Sequence, residues 1–91
     1  MSTHTVIIDS RALRDFAAYL GRFNSNLESE MRDLQAHFQR LGETWRDPAY
    51  ASFEADLEQT VTHLRRFQDI SEQFIVMLRS KADRVDAVHK G

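Results

Sequence analysis

Ninety-one residues, a formal net charge of −2 and no cysteine set the outer limits of this chain. The length supports one domain, the near-balanced charge excludes a basic nucleic-acid surface, and the lack of cysteine excludes a disulfide framework and a thiolate site. With only three glycines and one proline, and few β-branched residues outside Thr5-Val6-Ile7-Ile8, the composition points to an all-α fold within a single domain spanning 1–91.

Residues 1–8 read as an N-terminal arm. Val6-Ile7-Ile8 suits either an extended segment laid on a neighbouring helix or a frayed end making one contact. The start lacks the basic residues and long apolar run of a cleavable signal peptide, and no stretch approaches the ~20 apolar residues of a membrane span. Asp9 is placed to cap a helix through its carboxylate, with Ile8 and Leu13 as a hydrophobic staple across it.

The first helix is predicted over 9–41. Leu13, Phe16, Leu20, Phe23, Leu27, Met31, Leu34, Phe38 and Leu41 recur at three- and four-residue steps, which puts them on one face. The mean step of about 3.5 residues is the coiled-coil period. The order of steps switches at Leu27, and Asn24 and Glu30 stand where a strict heptad wants apolar groups. Gly21, in mid-helix, reads as a close-packing point or a tolerated defect.

The turn is predicted over 42–47. Gly42 suits the left-handed position that ends a helix. Asp47 and Pro48 restart one, as cap and first helical residue. The second helix is predicted over 48–85 with a tail at 86–91. Its stripe is Tyr50, Phe53, Leu57, Val61, Leu64, Phe67, Phe74 and Leu78, with polar interruptions at Thr60 and Ser71.

Folding back at residue 45 or 46 pairs positions whose numbers sum to 91: Leu41 with Tyr50, Phe38 with Phe53, Leu34 with Leu57, Leu27 with Leu64, Leu13 with Leu78. An antiparallel two-helix hairpin follows. Its seam is expected at Leu20, Leu27, Leu34, Phe38, Phe53, Leu57, Leu64 and Phe74, some of which serve a second hairpin. Residues 82–91 should overhang the first helix, with Val85 and Val88 packing elsewhere. One seam buries little in a chain this short, so the hairpin is expected to dimerise into a four-helix bundle.

No phosphate loop, nucleophile elbow or HExxH motif occurs. His4, His37, His63 and His89 are scattered; the mirror places His37 near Glu54 and His63 near Glu28 as surface pairs. Glu-x-x-His, the mark of di-iron bundles, is absent. No catalytic residue, metal or cofactor is therefore expected, and the chain reads as a non-enzyme. Trp45 belongs to neither stripe. At a hairpin tip it either caps the core or anchors a partner.

With Trp45-Arg46-Asp47 at the turn, Asp47-Pro48-Ala49-Tyr50 through Phe53 opening the second helix, and two long helices filling a short chain, the protein resembles the WXG superfamily of type VII secretion substrates. Asp47 stands where that family has Gly, and either residue can cap a helix. The resemblance implies a homodimer, or a heterodimer with another WXG-like protein. It also implies a partner-binding turn at Trp45, Arg46 and Asp47, and export without a cleavable signal peptide through an apparatus driven by an FtsK/SpoIIIE-like ATPase. No tyrosine occurs from Phe74 to Gly91, so the family's C-terminal Tyr-x-x-x-Asp/Glu motif is missing. Either a heteromeric partner carries it, or the chain does not leave by that route. The expected function is a helical-hairpin interaction protein, secreted or targeting a larger partner. A cytoplasmic scaffold or filament subunit is the alternative.

Overall fold

The computed structural model describes residues 8–90, with side chains through residue 88. It consists of α1 (Ser10–Leu41) and α2 (Pro48–Lys90), folded back on each other. The molecule measures 65 × 29 × 14 Å with a radius of gyration of 20.4 Å, against about 12 Å for a compact domain of this length. It is a rod one helix thick. The expectation of an extended arm at residues 1–8 falls, apart from Ile8, outside the described residues.

Asp9 begins α1. Its backbone is extended (φ −97°, ψ 111°) and its carboxylate accepts from the Arg11 N–H at 2.9 Å, which satisfies one of the orphan donors of the first turn. Leu13, Ala17, Leu20, Asn24, Leu27 and Met31 then line the seam with alternating four- and three-residue steps. The same alternation runs through α2 without a break: Leu57, Val61, Leu64, Gln68, Ser71, Ile75, Leu78, Ala82 and Val85 are all buried or half-buried. Both helices therefore keep a strict heptad, the pattern that holds a seam along two long rods.

This corrects the predicted stripe of α1 at two positions. Ala17 and Asn24 are buried, whereas Phe16 and Phe23 remain largely exposed. Ala17 is fully inaccessible within the cluster of Leu20, Ile75 and Leu78. A methyl side chain there lets the two backbones approach, and a phenyl ring would hold them apart. Asn24 and Ser71 are buried and Gln68 half-buried, which divides the seam into two apolar clusters. The one near the open end is built on Ala17, Leu20, Ile75 and Leu78. The one near the turn is built on Met31, Leu57 and Val61.

The open end also differs from expectation. Residues 82–86 do not overhang: Ala82 is buried, Ser10 donates to Asp86 at 2.6 Å, and Arg14 bridges Asp83 at 2.9 Å and Asp86 at 2.7 Å. Nor does the helix stop at 85, because these contacts carry it past the start of α1, and it continues to Lys90. Thr60, expected to interrupt the stripe, lies outside the seam and is exposed.

Candidate functional site

The turn is built around Tyr50. Its ring stacks on Phe38 with centroids 4.3 Å apart, meets Trp45 edge-on at 5.8 Å, and carries the Arg46 guanidinium over its face at 5.5 Å. Its hydroxyl donates to the Phe38 carbonyl at 3.3 Å. This packing explains Gly42 differently from the sequence reading. Gly42 is not left-handed; at φ −65° and ψ −13° it continues the right-handed helix. It is glycine because a Cβ would fall against the Tyr50 hydroxyl and within 2.7 Å of its Cζ. Steric room, and not backbone freedom, selects the residue.

Asp47 joins Trp45 to α2. One carboxylate oxygen accepts from the Tyr50 N–H at 3.0 Å and caps the helix; the other accepts from the Trp45 indole N–H at 3.0 Å. A glycine could do only part of the first task and none of the second. Arg46 donates to the Gly42 carbonyl at 2.9 Å. The indole, 40% exposed with its one polar atom already bonded, offers the solvent an apolar ring held at a fixed angle.

Away from the turn, the two flanks of the seam carry opposite chemistry. One is ionic. Arg14 spans to Asp83 and Asp86, and Glu28 accepts from Arg32 at 2.9 Å and Arg65 at 2.9 Å. Gln68 reaches the Asn24 carbonyl at 3.2 Å and Glu28 at 3.4 Å. Partial desolvation pushes the Glu28 carboxyl up, but the hydrogen bonds from Arg32, Arg65 and Gln68 outweigh it and hold the group below its ordinary range. A shallow notch of about 420 Å³ opens here, lined by Gly21, Asn24, Ser25, Glu28, Gln68, Asp69 and Glu72.

The other flank is aromatic. Phe16 meets Phe74, and Phe23 meets Phe67, each edge-to-face with centroids 6.3 Å apart. Phe53 tilts against Phe38 at 5.2 Å nearer the turn. Tyr19, Ile70 and Met77 extend the apolar surface outward on the same side. These seven side chains between Phe16 and Phe23 and between Phe67 and Met77 are 42–58% exposed. Apolar side chains left in water in this number along one side of a rod are uncommon on a monomer.

Among the described residues no group of three His, Asp or Glu side chains is arranged to hold a metal ion. The expected histidine pairs do not form: His37 Nδ1 lies 2.7 Å from the Asp33 carbonyl, and Glu28 is engaged by arginines and Gln68 instead of His63. The side chains of His4 and His89 fall outside the described set. Of the seam residues expected from the sequence, Leu20 and Leu57 are buried and Leu27, Phe38 and Leu64 half-buried. Leu34, Phe53 and Phe74 are exposed on the wet side. Sequence reasoning missed the Arg14–Asp83–Asp86 clasp and the role of Tyr50. Extending the unbroken heptad of α2 from Leu57 to Val85 back onto α1 would have found the first.

No helix of the described residues is long and apolar enough to cross a membrane. Over 58 residues the chain is 38% identical to sorting nexin-4 of Gibberella zeae, covering 62% of this chain and 13% of that protein; the chain thus spans a small part of that relative's length. No solved structure matches the chain significantly. The model of the family described as proteins of 100 residues with WXG matches residues 5–88, nearly the whole hairpin with Trp45 at its turn, and the chain belongs to this WXG100 family.

Proposed function

We propose that this protein is a non-enzymatic association module that works as one half of a paired helical bundle. In keeping with its family, whose members are small helical hairpins of the type VII secretion substrate class, it would act as an exported factor or as the escort of a larger substrate. The observation that carries this reading is the row of aromatic pairs left in water. Phe16–Phe74 and Phe23–Phe67 are paired within the chain yet remain nearly half-exposed, so the hairpin closes its seam and leaves a second apolar face unused. Leu34, Phe53 and Phe74 are assigned to that outer contact, and Leu20, Leu27, Phe38, Leu57 and Leu64 to the hairpin seam.

Trp45, Arg46 and Asp47 are assigned to partner contact at the tip. The indole N–H is satisfied by Asp47 and Arg46 is spent on Gly42 and Tyr50, so the tip presents apolar surface that needs no polar partner. Pairing is with another WXG-like chain, identical or different, and an FtsK/SpoIIIE-like ATPase is the proposed motor for export.

The test is sedimentation and circular dichroism of the purified chain over a wide micromolar range. A helical dimer that Phe23→Gln with Phe67→Gln converts to a helical monomer supports the reading. So does a poorly folded monomer that becomes helical with a WXG-like partner. A fully helical monomer with a concentration-independent Tm and no binding of an apolar dye contradicts it. High-order polymers favour a scaffold or filament subunit instead. Export is read separately, as loss of the chain from the culture medium when the ATPase is deleted.

A further inference from the structure

We infer that the notch on the ionic flank takes the guanidinium of an arginine from another polypeptide, held by Asp69, Glu72 and the buried carboxamide of Asn24. That face lies across the seam from the aromatic one, and the arginine reaches it whether or not two hairpins pair.

The flank is a ladder with one rung missing. Positions 14, 21 and 28 of α1 are a heptad apart and share one side of the seam. Arg14 crosses to Asp83 at 2.9 Å and Asp86 at 2.7 Å, and Glu28 crosses to Arg65 at 2.9 Å. Between them stands Gly21, which has no side chain to send across. The acids of α2 at this notch, Asp69 and Glu72, form no ion pair among the described residues. The neighbouring bases are committed or distant. Arg65 is bonded to Glu28, and Arg22 sits over the Tyr19 ring, 6.0 Å from its centroid. Arg79 lies about 10 Å from Glu72 along α2, at 1.5 Å per residue. The space left is about 420 Å³, and a Cβ on Gly21 would meet only Ile75 Cδ1, at 3.9 Å.

Acids alone would make a solvated surface. What sets this place apart is Asn24, which lines the notch and is 7% exposed, while neither its Oδ1 nor its Nδ2 has a hydrogen-bond partner. A buried amide without partners weakens the fold that contains it. A donor arriving through the notch satisfies its oxygen. Gln68 is the side chain that yields: its Nε2 reaches the Asn24 main-chain carbonyl at 3.2 Å and Glu28 at 3.4 Å, both long bonds. Moved aside, it opens Asn24 Oδ1 to the ligand.

Chemistry selects arginine. A metal ion needs converging ligands, and no three acidic or histidine side chains converge among the described residues. An ammonium is a compact, strongly hydrated point charge. A guanidinium spreads five donors over a plane and sheds water more easily, so it spans carboxylates on α2 and an amide oxygen on α1.

The test is an NMR titration of the isotope-labelled chain with an end-blocked alanyl-arginyl-alanine peptide, read at the side-chain amide resonances of Asn24 and Gln68. Both should shift and saturate, with a Kd on the order of millimolar. The lysine analogue should bind at least about twofold more weakly, and Glu72→Gln should weaken the arginine peptide about 2–5-fold. Gly21→Arg supplies the rung from within; it should raise Tm above that of Gly21→Gln and abolish the shifts. Asn24→Leu should raise Tm yet weaken the peptide. Shifts that never saturate, or that survive Gly21→Arg unchanged, overturn the site. Undiminished binding to Asn24→Leu reduces it to surface carboxylates and overturns it too. Equal affinity for the lysine analogue overturns the choice of arginine, and tighter binding of free spermidine overturns the polypeptide occupant.

Discussion

The ionic and aromatic flanks run side by side along the same seam, at the same heptad spacing, and do different things. On the ionic flank, Arg14, Glu28, Arg65, Gln68, Asp83 and Asp86 reach across the two helices and bond each other. Their polar heads are satisfied within the chain. On the aromatic flank, Phe16, Phe23, Phe67 and Phe74 also meet across the helices. Edge-to-face contact leaves much of each ring in water, and water is a poor neighbour for it. One flank is bonded across the two helices; the other leaves its rings open to water. A single chain thus separates the polar groups that tie its helices together from the apolar face it leaves open.

The largest effect should come from the seam that both flanks share. Leu57→Asp puts a carboxylate into the turn-side cluster and should cost more than about 3 kcal/mol, enough to abolish helicity by circular dichroism. Leu34→Asp, at a site 49% exposed, should leave the helices folded. Equal loss of helicity in both variants would erase the distinction between seam and wet side. Next in size is Gly42→Ala, where the new methyl meets the Tyr50 ring and should cost about 1–3 kcal/mol, read as a fall in Tm. The same change in a Tyr50→Ala background should cost much less, a coupling measurable by a double-mutant cycle.

Phe67→Gln removes one edge-to-face pair. It should cost about 0.5–1.5 kcal/mol of monomer stability while weakening association at least tenfold. An association constant that tracks stability alone would mean that the aromatic flank has no separate task. On the ionic flank, Glu28 gives a pH signature. Its folded pKa is depressed, so its contribution is present above the unfolded value, about 4.3, and is lost as pH falls through the lower folded value. Tm should decline below about pH 4.3, and Glu28→Gln should flatten that decline. The smallest effect is at Gly21. A Cβ there meets only Ile75 Cδ1, at 3.9 Å, so Gly21→Ala should stabilise α1 by about 0.5–1 kcal/mol in thermal melts. That would class the glycine as a tolerated defect of the ionic flank and not a packing requirement.

Much of this was legible in the order of residues. Asp9 and Asp47 announce helix starts because short carboxylates reach first-turn N–H groups, and both do so. The three- and four-residue steps specify two long helices, and the mirror about Trp45 folds them into a hairpin. The failures share a cause. A face wide enough to include Phe16 and Phe23 also includes Ala17 and Asn24, and periodicity does not say which edge of the stripe goes inward. Nor does it rank a phenyl group below a methyl for burial, because hydropathy alone argues the reverse. Gly42 shows the same limit from the other side: its identity was read as a backbone property, and the constraint came from a ring eight residues away.

What the sequence determined alone is the pattern of local backbone preference: cap, helix, turn, cap, helix. What only the tertiary structure decided is which flank is closed and which is open. That choice depends on how near the two backbones come at Ala17, and on whether side chains across the gap can satisfy each other. Both are distances between residues far apart in the chain, and a one-dimensional pattern holds no record of them until the hairpin has closed.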